Sequence, residues 1–233
     1  MILAHYELNN PIIFQEGIVN VLVVENPIQM SKFIIELISQ SNGVDGGFEL
    51  SAKNESLPIS NKVTLVTDVF SIDLNERDFL NKLYMKMKMD ALSEDMFLDT
   101  NAILAEIERH FEKIMLRQNP QLESSVPDLQ SLFKSLNIRH AVPETTLEKI
   151  CDYIDLCSEY RKTVLFIFLN IKSFLDETEI QNLYLHSSYR KYNLLLIENK
   201  QYSHIKGEII RIIDKDLCEF QISDDNDIFW DAV

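Results

Sequence analysis

Glycine is scarce in this chain, five in 233 residues, and its scarcity excludes most at one turn. Ile18 to Val24 (IVNVLVV) is an apolar, β-branched run, and Glu25-Asn26-Pro27 then leads into a helical pattern from Ile28 to Ser39. In nucleotide-binding α/β proteins the first strand-to-helix turn carries the glycines that let backbone amides close on phosphate. Here the turn has none. With Lys32 set where a phosphate-loop lysine would stand, the two glycine positions hold Asn26 and Ser31, and the hydroxyl position holds Phe33. The turn reads instead as a helix start with Asn26 as N-cap and Pro27 at the first position. Lys32 stays a candidate for contacting a phosphate backbone. Three of the five glycines, Gly43, Gly46 and Gly47, fall in the polar stretch Ser41 to Gly47, which reads as a turn or mobile loop.

Other shortages narrow the field further. No apolar run reaches the roughly 18 residues a membrane-spanning helix needs, and MILAHYELNNP lacks the basic start and long apolar stretch of a signal peptide. A cytoplasmic protein is expected. The cysteines are three, Cys151, Cys157 and Cys218, with no C-x-x-C spacing, and read as buried thiols. Five histidines (His5, His110, His140, His186, His204) form no pair at i, i+3 or i+4, so neither a zinc site nor a histidine-based hydrolase is supported. Basic residues are few as well, 22 against 37 acids, for a formal charge of −15. Such a field repels phosphate at long range. A ring-shaped assembly can still gather its basic groups on an inner wall and leave its acids outside. Acids also suit hard cations such as calcium, which take six to eight oxygen ligands.

What is present is an α/β pattern. Strand signals recur at Ile18 to Val24, Val63 to Val66, Thr163 to Leu169, Leu194 to Ile197 and Glu208 to Ile213, each apolar on both parities, as strands covered on both faces are. Between Asp68 and Tyr160 helical spacing takes over. The expected organisation is an α/β head with a mainly parallel sheet, residues 1–70 and 161–233, and an inserted α-helical leg, residues 71–160. In the leg, Leu80, Leu83, Tyr84 and Met87 form one stripe, and Ile103, Leu104, Ile107, Phe111, Ile114 and Met115 a second. The two are expected to pack on each other. Further helix starts are marked at Asp128 after Pro127, at Thr145-x-x-Glu148, and at Asp176-x-x-Glu179, from which a helix would run to about His186. The chain ends acidic, with Asp214, Asp216, Glu219, Asp224, Asp225, Asp227 and Asp231.

Catalysis finds little purchase. Asp68 follows the strand Val63 to Val66 where a magnesium ligand would stand in a phosphate-loop enzyme, and Asp73 comes five residues later. Without a loop to hold substrate, Asp68 reads as a locally capped strand end. After the strand ending at Leu169 the same position holds Asn170, a poor metal ligand. The basic clusters Arg77, Lys82, Lys86 and Lys88, and Arg161 with Lys162, read either as solvated faces or as residues lining one cavity.

These residues together resemble a family. Pro11-Ile12 and Gly17 ahead of the first strand, Ser31-Lys32, Leu65-Val66-Thr67-Asp68 with Asp73-Leu74-Asn75, Lys134-Ser135-Leu136, and the strand Leu165 to Asn170 followed by Phe174-Leu175-x-x-x-Glu179-Ile180-x-x-Leu183 and Leu194 to Glu198 recur in order. The chain resembles the small CRISPR-associated adaptation proteins that define type II-A systems, a Csn family with a degenerate nucleotide-binding fold. The resemblance implies a toroidal homotetramer that takes the end of double-stranded DNA in its central hole, is not an enzyme, and acts in spacer acquisition beside the CRISPR integrase complex and the RNA-guided nuclease. DNA contacts would fall to Lys32, Arg77, Lys82, Lys86, Arg161 and Lys162. It also implies calcium, held ahead of Lys134-Ser135-Leu136, where this chain keeps Glu123 and offers Asp128 but has Asn119, Gln121, Ser125 and Ser131 at positions that are acidic in relatives. The alternative is an acidic scaffold that grips the integrase or nuclease and not DNA.

Overall fold

The computed structural model describes residues 1–118 and 122–222. Asn119 and Gln121, and the acids Asp224, Asp225, Asp227 and Asp231 of the carboxyl-terminal run, lie outside the described residues. Contacts divide the chain into two compact units, Met1–Asp73 with Pro143–Val233, and Leu74–Val142.

The first unit is α/β. It contains strands β1 (Ile2–His5), β2 (Ile12–Ile13), β3 (Val19–Val24), β4 (Phe48–Ala52), β5 (Glu55–Leu57), β6 (Val63–Val66), β7 (Leu165–Leu169), β8 (Asn193–Glu198), β9 (Glu208–Ile213) and β10 (Glu219–Ile222). Its helices are α1 (Pro27–Ser41), α2 (Ile59–Lys62), α6 (Thr146–Leu156) and α7 (Glu177–Arg190). The main sheet runs β10-β9-β3-β8-β7-β6, parallel throughout except for β10, which pairs antiparallel with β9 at the edge. The five sequence-marked strands are the five parallel ones. All residues of β3 and β7 are buried, as expected when helices cover both faces. On one face Leu22, Val24, Leu165, Ile167, Leu195 and Ile197 pack with Phe33 and Leu37 of α1. The pleat turns their neighbours, Val21, Phe166, Phe168 and Leu196, to the other face.

Sequence alone did not mark the second sheet, β2-β1-β4-β5, which is antiparallel. Its strands are short, and burial alternates in β4, where Phe48 and Leu50 are covered and Glu49 is exposed. That weak period-2 signal borders the polar loop around Gly43 and is lost beside it. The cysteines also differ from expectation: Cys157 is buried, Cys151 half-buried and Cys218 exposed.

The second unit contains α3 (Arg77–Ala91), α4 (Phe97–Gln118) and α5 (Leu129–Ser135). Helix α6 falls with the α/β unit and not with these, because Ile150 and Ile154 are fully buried there and α6 packs on α7. The two stripes do not pair as expected. Helix α3 packs on α5, where the Tyr84 and Phe133 rings lie 6.4 Å apart and the Tyr84 hydroxyl donates to the Ile138 carbonyl at 2.8 Å. In α4 Thr100 is the buried residue, while Ile103 and Phe111 are 59% and 55% exposed.

Candidate nucleic-acid interface

The turn after β3 is closed by a side-chain cap. Asn26 is extended, and its Oδ1 accepts from the amides of Ile28 at 3.0 Å and Gln29 at 3.2 Å, while its Nδ2 donates to the Lys215 carbonyl. The amides that a phosphate would need are thus already satisfied. Lys32 Nζ donates to Glu7 Oε1 at 2.5 Å and lies 5.1 Å from the centre of the Tyr6 ring. Hydrogen bonds from Lys32 and then Gln29 hold the Glu7 carboxyl below its ordinary range, and the same Glu7 bond raises Lys32. Beside them opens a cleft of about 330 Å³ lined by Tyr6, Glu7, Asn9, Gln29, Ile213, Leu217 and Glu219. Two carboxylates on its wall make it a poor anion site. The charge of Lys32 is therefore largely neutralised within the fold.

The other expected contacts are dispersed. Lys162, exposed in a left-handed conformation (φ 59°), and Arg161 precede β7, whereas Lys32 follows β3; with β3 and β7 in one parallel sheet, the two groups lie at opposite ends. Arg161 turns inward, donating to the Tyr153 hydroxyl at 3.2 Å. On α3, 100° per residue sets Lys82 and Lys86 on one side and Arg77 with Lys88 on another. Lys82 pairs with Asp78 at 3.6 Å and Lys88 with Asp128 at 3.2 Å. Within each unit the candidates stand apart: Lys32 from Arg161 and Lys162 on the sheet, and Arg77 from Lys82 and Lys86 on α3.

Calcium finds no fitting ligand set at Glu123 and Asp128. Asp128 is the N-cap of α5: Oδ2 accepts from the Ser131 amide at 3.0 Å and hydroxyl at 3.1 Å, and Oδ1 from Lys88. Those bonds, the Ser131 amide foremost, hold its pKa down. Glu123 is exposed, and among the described residues no three His, Cys, Asp or Glu side chains converge on a point. A cation that takes six to eight oxygens is not served by one engaged carboxylate and one solvated one. Asp68 likewise acts as a cap, its Oδ1 accepting from the Phe70 amide at 2.9 Å.

Two features were not anticipated. The first is a buried ionic group on the sheet. Lys172 Nζ and the Tyr184 hydroxyl both donate to Glu208 Oε2 at 2.6 Å, and Glu198 Oε1 accepts from the Lys172 amide at 3.1 Å. All four residues are buried, and Glu198 Oε2 has no hydrogen-bond partner among the described residues. Burial raises the Glu198 carboxyl to about 7. The second is the surface of α4. Arg109, Lys113 and Arg117 recur every fourth residue along one exposed strip, Glu108 and Glu112 mark another, and the apolar stripe of Ile103, Ile107, Phe111 and Ile114 lies between them. Counting charges per stretch of sequence selects Arg77 to Lys88; counting by helical period selects 109, 113 and 117.

Comparison with known proteins places the chain by sequence. A family model described as CRISPR-associated protein (Cas_Csn2) matches residues 40–217. The CRISPR-associated protein Csn2 of Enterococcus faecalis is 24% identical over 203 residues, covering 78% of this chain and 90% of that protein. Among solved structures, the ADP conformation of MJ1267, an ATP-binding cassette of an ABC transporter, superposes with a TM-score of 0.44 at 11% identity, covering 92% of this chain and 85% of that one. For cbiO1 of Clostridium perfringens, part of the ABC transporter complex cbiONQ, the values are 0.46, 12%, 88% and 77%.

Proposed function

We propose that this chain, which belongs to the Csn2 family of CRISPR-associated proteins, binds the ends of double-stranded DNA during spacer acquisition as a ring-shaped homotetramer, without reading sequence and without catalysis. The observation that carries the reading is helix α4. A 22-residue helix that leaves Ile103, Phe111 and Ile114 of its apolar stripe exposed is the kind of surface that marks an association site. Self-association through it would gather the few basic residues of an acidic chain into one place. Phosphate contact would be electrostatic and salt-sensitive, supplied by lysine and arginine and indifferent to base order.

The glycine-free turn supports the non-catalytic part, since Asn26 occupies the helix amides and Glu7 occupies Lys32. DNA, the integrase complex and the RNA-guided nuclease are the partners this reading requires. Light scattering tests the assembly: a mass near four times the 27.2 kDa chain is expected, and a strict monomer at micromolar concentration would overturn it. Calorimetry with ATP tests the absence of nucleotide chemistry; measurable binding at the Asn26 turn would contradict that part.

A further inference from the structure

The basic strip of α4 goes beyond the residues considered so far. Arg109, Lys113 and Arg117 are all exposed, four residues apart, so successive charged groups stand about 6 Å from one another along the helix. The row spans about 12 Å, and duplex DNA carries one negative charge per roughly 1.7 Å of axis. Charge state separates this row from four of the other candidates, and regular spacing separates it from Arg77 and Lys162, which stand singly. Lys32 is paired with Glu7, Lys82 with Asp78 and Lys88 with Asp128, and Arg161 is turned to Tyr153. No ion pair or hydrogen bond within the described residues engages Arg109, Lys113 or Arg117. Glu112, three residues after Arg109, borders the row on the side away from the apolar stripe, and Glu106, three residues before Arg109, stands at its amino end.

We infer that Arg109, Lys113 and Arg117 form the phosphate-backbone contact of this chain, a strip that grips duplex DNA through point charges. The inference rests on the DNA-binding reading above and names the site for it. The apolar stripe beside the strip gives it a fixed place in an assembly: a helix held by Ile103, Ile107, Phe111 and Ile114 has its basic flank oriented for the ligand. Because a regular row of cations tracks a backbone and not base edges, the contact carries no sequence preference.

The test is binding of a blunt-ended linear duplex, by fluorescence anisotropy from 50 to 200 mM salt, to the wild-type chain and to R109A/K113A/R117A. Alanine keeps the helix, and circular dichroism with light scattering checks fold and assembly. The variant is expected to bind about tenfold or more weakly at 50 mM salt. Its log-log salt slope should be shallower by about 2.7 for each subunit that engages the duplex. R109K/R117K, which keeps the charges, is expected to bind like wild type. Wild-type binding that the triple substitution leaves intact would overturn the strip while leaving DNA binding standing. Loss of DNA together with loss of assembly would place the row in a subunit contact and also overturn it. A wild-type chain that fails to bind duplex at all would sink the DNA reading itself.

Discussion

At the scale of single residues, Glu198 makes the sharpest prediction. Its carboxyl is fully buried, one oxygen has no partner among the described residues, and burial raises it from an ordinary 4.5 to about 7. The folded chain therefore keeps a proton that the unfolded chain has released between those two values. Stability is complete below the lower value and is lost as pH rises through the upper one, by roughly 3 kcal/mol in all. Urea denaturation of wild type between pH 5 and 8 is expected to show that decline, and Glu198→Gln to flatten it, gaining on wild type at pH 8. Parallel curves for the two proteins would contradict the account. None of this was legible in the sequence, where Glu198 is the last letter of an apolar strand. Its role depends on Lys172 and Glu208, which come 26 residues before it and ten after it. Lys32 shows the converse. Its position one turn into the first helix was legible, but its partner Glu7, 25 residues earlier, belongs to a loop after a strand that sequence did not mark.

Elements divide by how local their causes are. Caps act over three residues, so they are readable: Asn26, Asp128, Thr145 and Asp176 all accept backbone amides at the expected helix starts. Asp176 and Glu179 form a reciprocal capping box at 2.8 and 2.9 Å. Asp176→Ala is expected to cost about 1 kcal/mol, read as a shift of the denaturation midpoint at unchanged slope. The parallel strands were equally clear, because burial on both faces leaves unbroken apolar runs. The small antiparallel sheet was not, since three to five half-buried residues carry too little period to stand out. Helix α4 was seen as a helix but assigned the wrong neighbour: a stripe states that something covers it, never what. Replacing two stripe residues with glutamate, I103E/F111E, is expected to abolish the higher oligomer while the far-ultraviolet spectrum stays unchanged. An intact oligomer would move the subunit contact elsewhere.

The whole molecule carries −15 charges, so any hold on DNA must be local and sensitive to salt. The core tolerates little loss: Phe33 is fully buried between α1 and the sheet, and Phe33→Ala is expected to remove about 3–5 kcal/mol, checked by urea denaturation. No helix among the described residues is long and apolar enough to cross a membrane. The proposed reading, a collar on DNA ends, rests on a capped helix start at Asn26 and on the basic strip of α4, which has no ion pair among the described residues. The most direct measurement compares a linear duplex with a covalently closed circle of the same sequence, at 50 and 200 mM salt. The account predicts binding to the linear form alone, weakening steeply at the higher salt. Equal binding to both forms, or none to either, would contradict it.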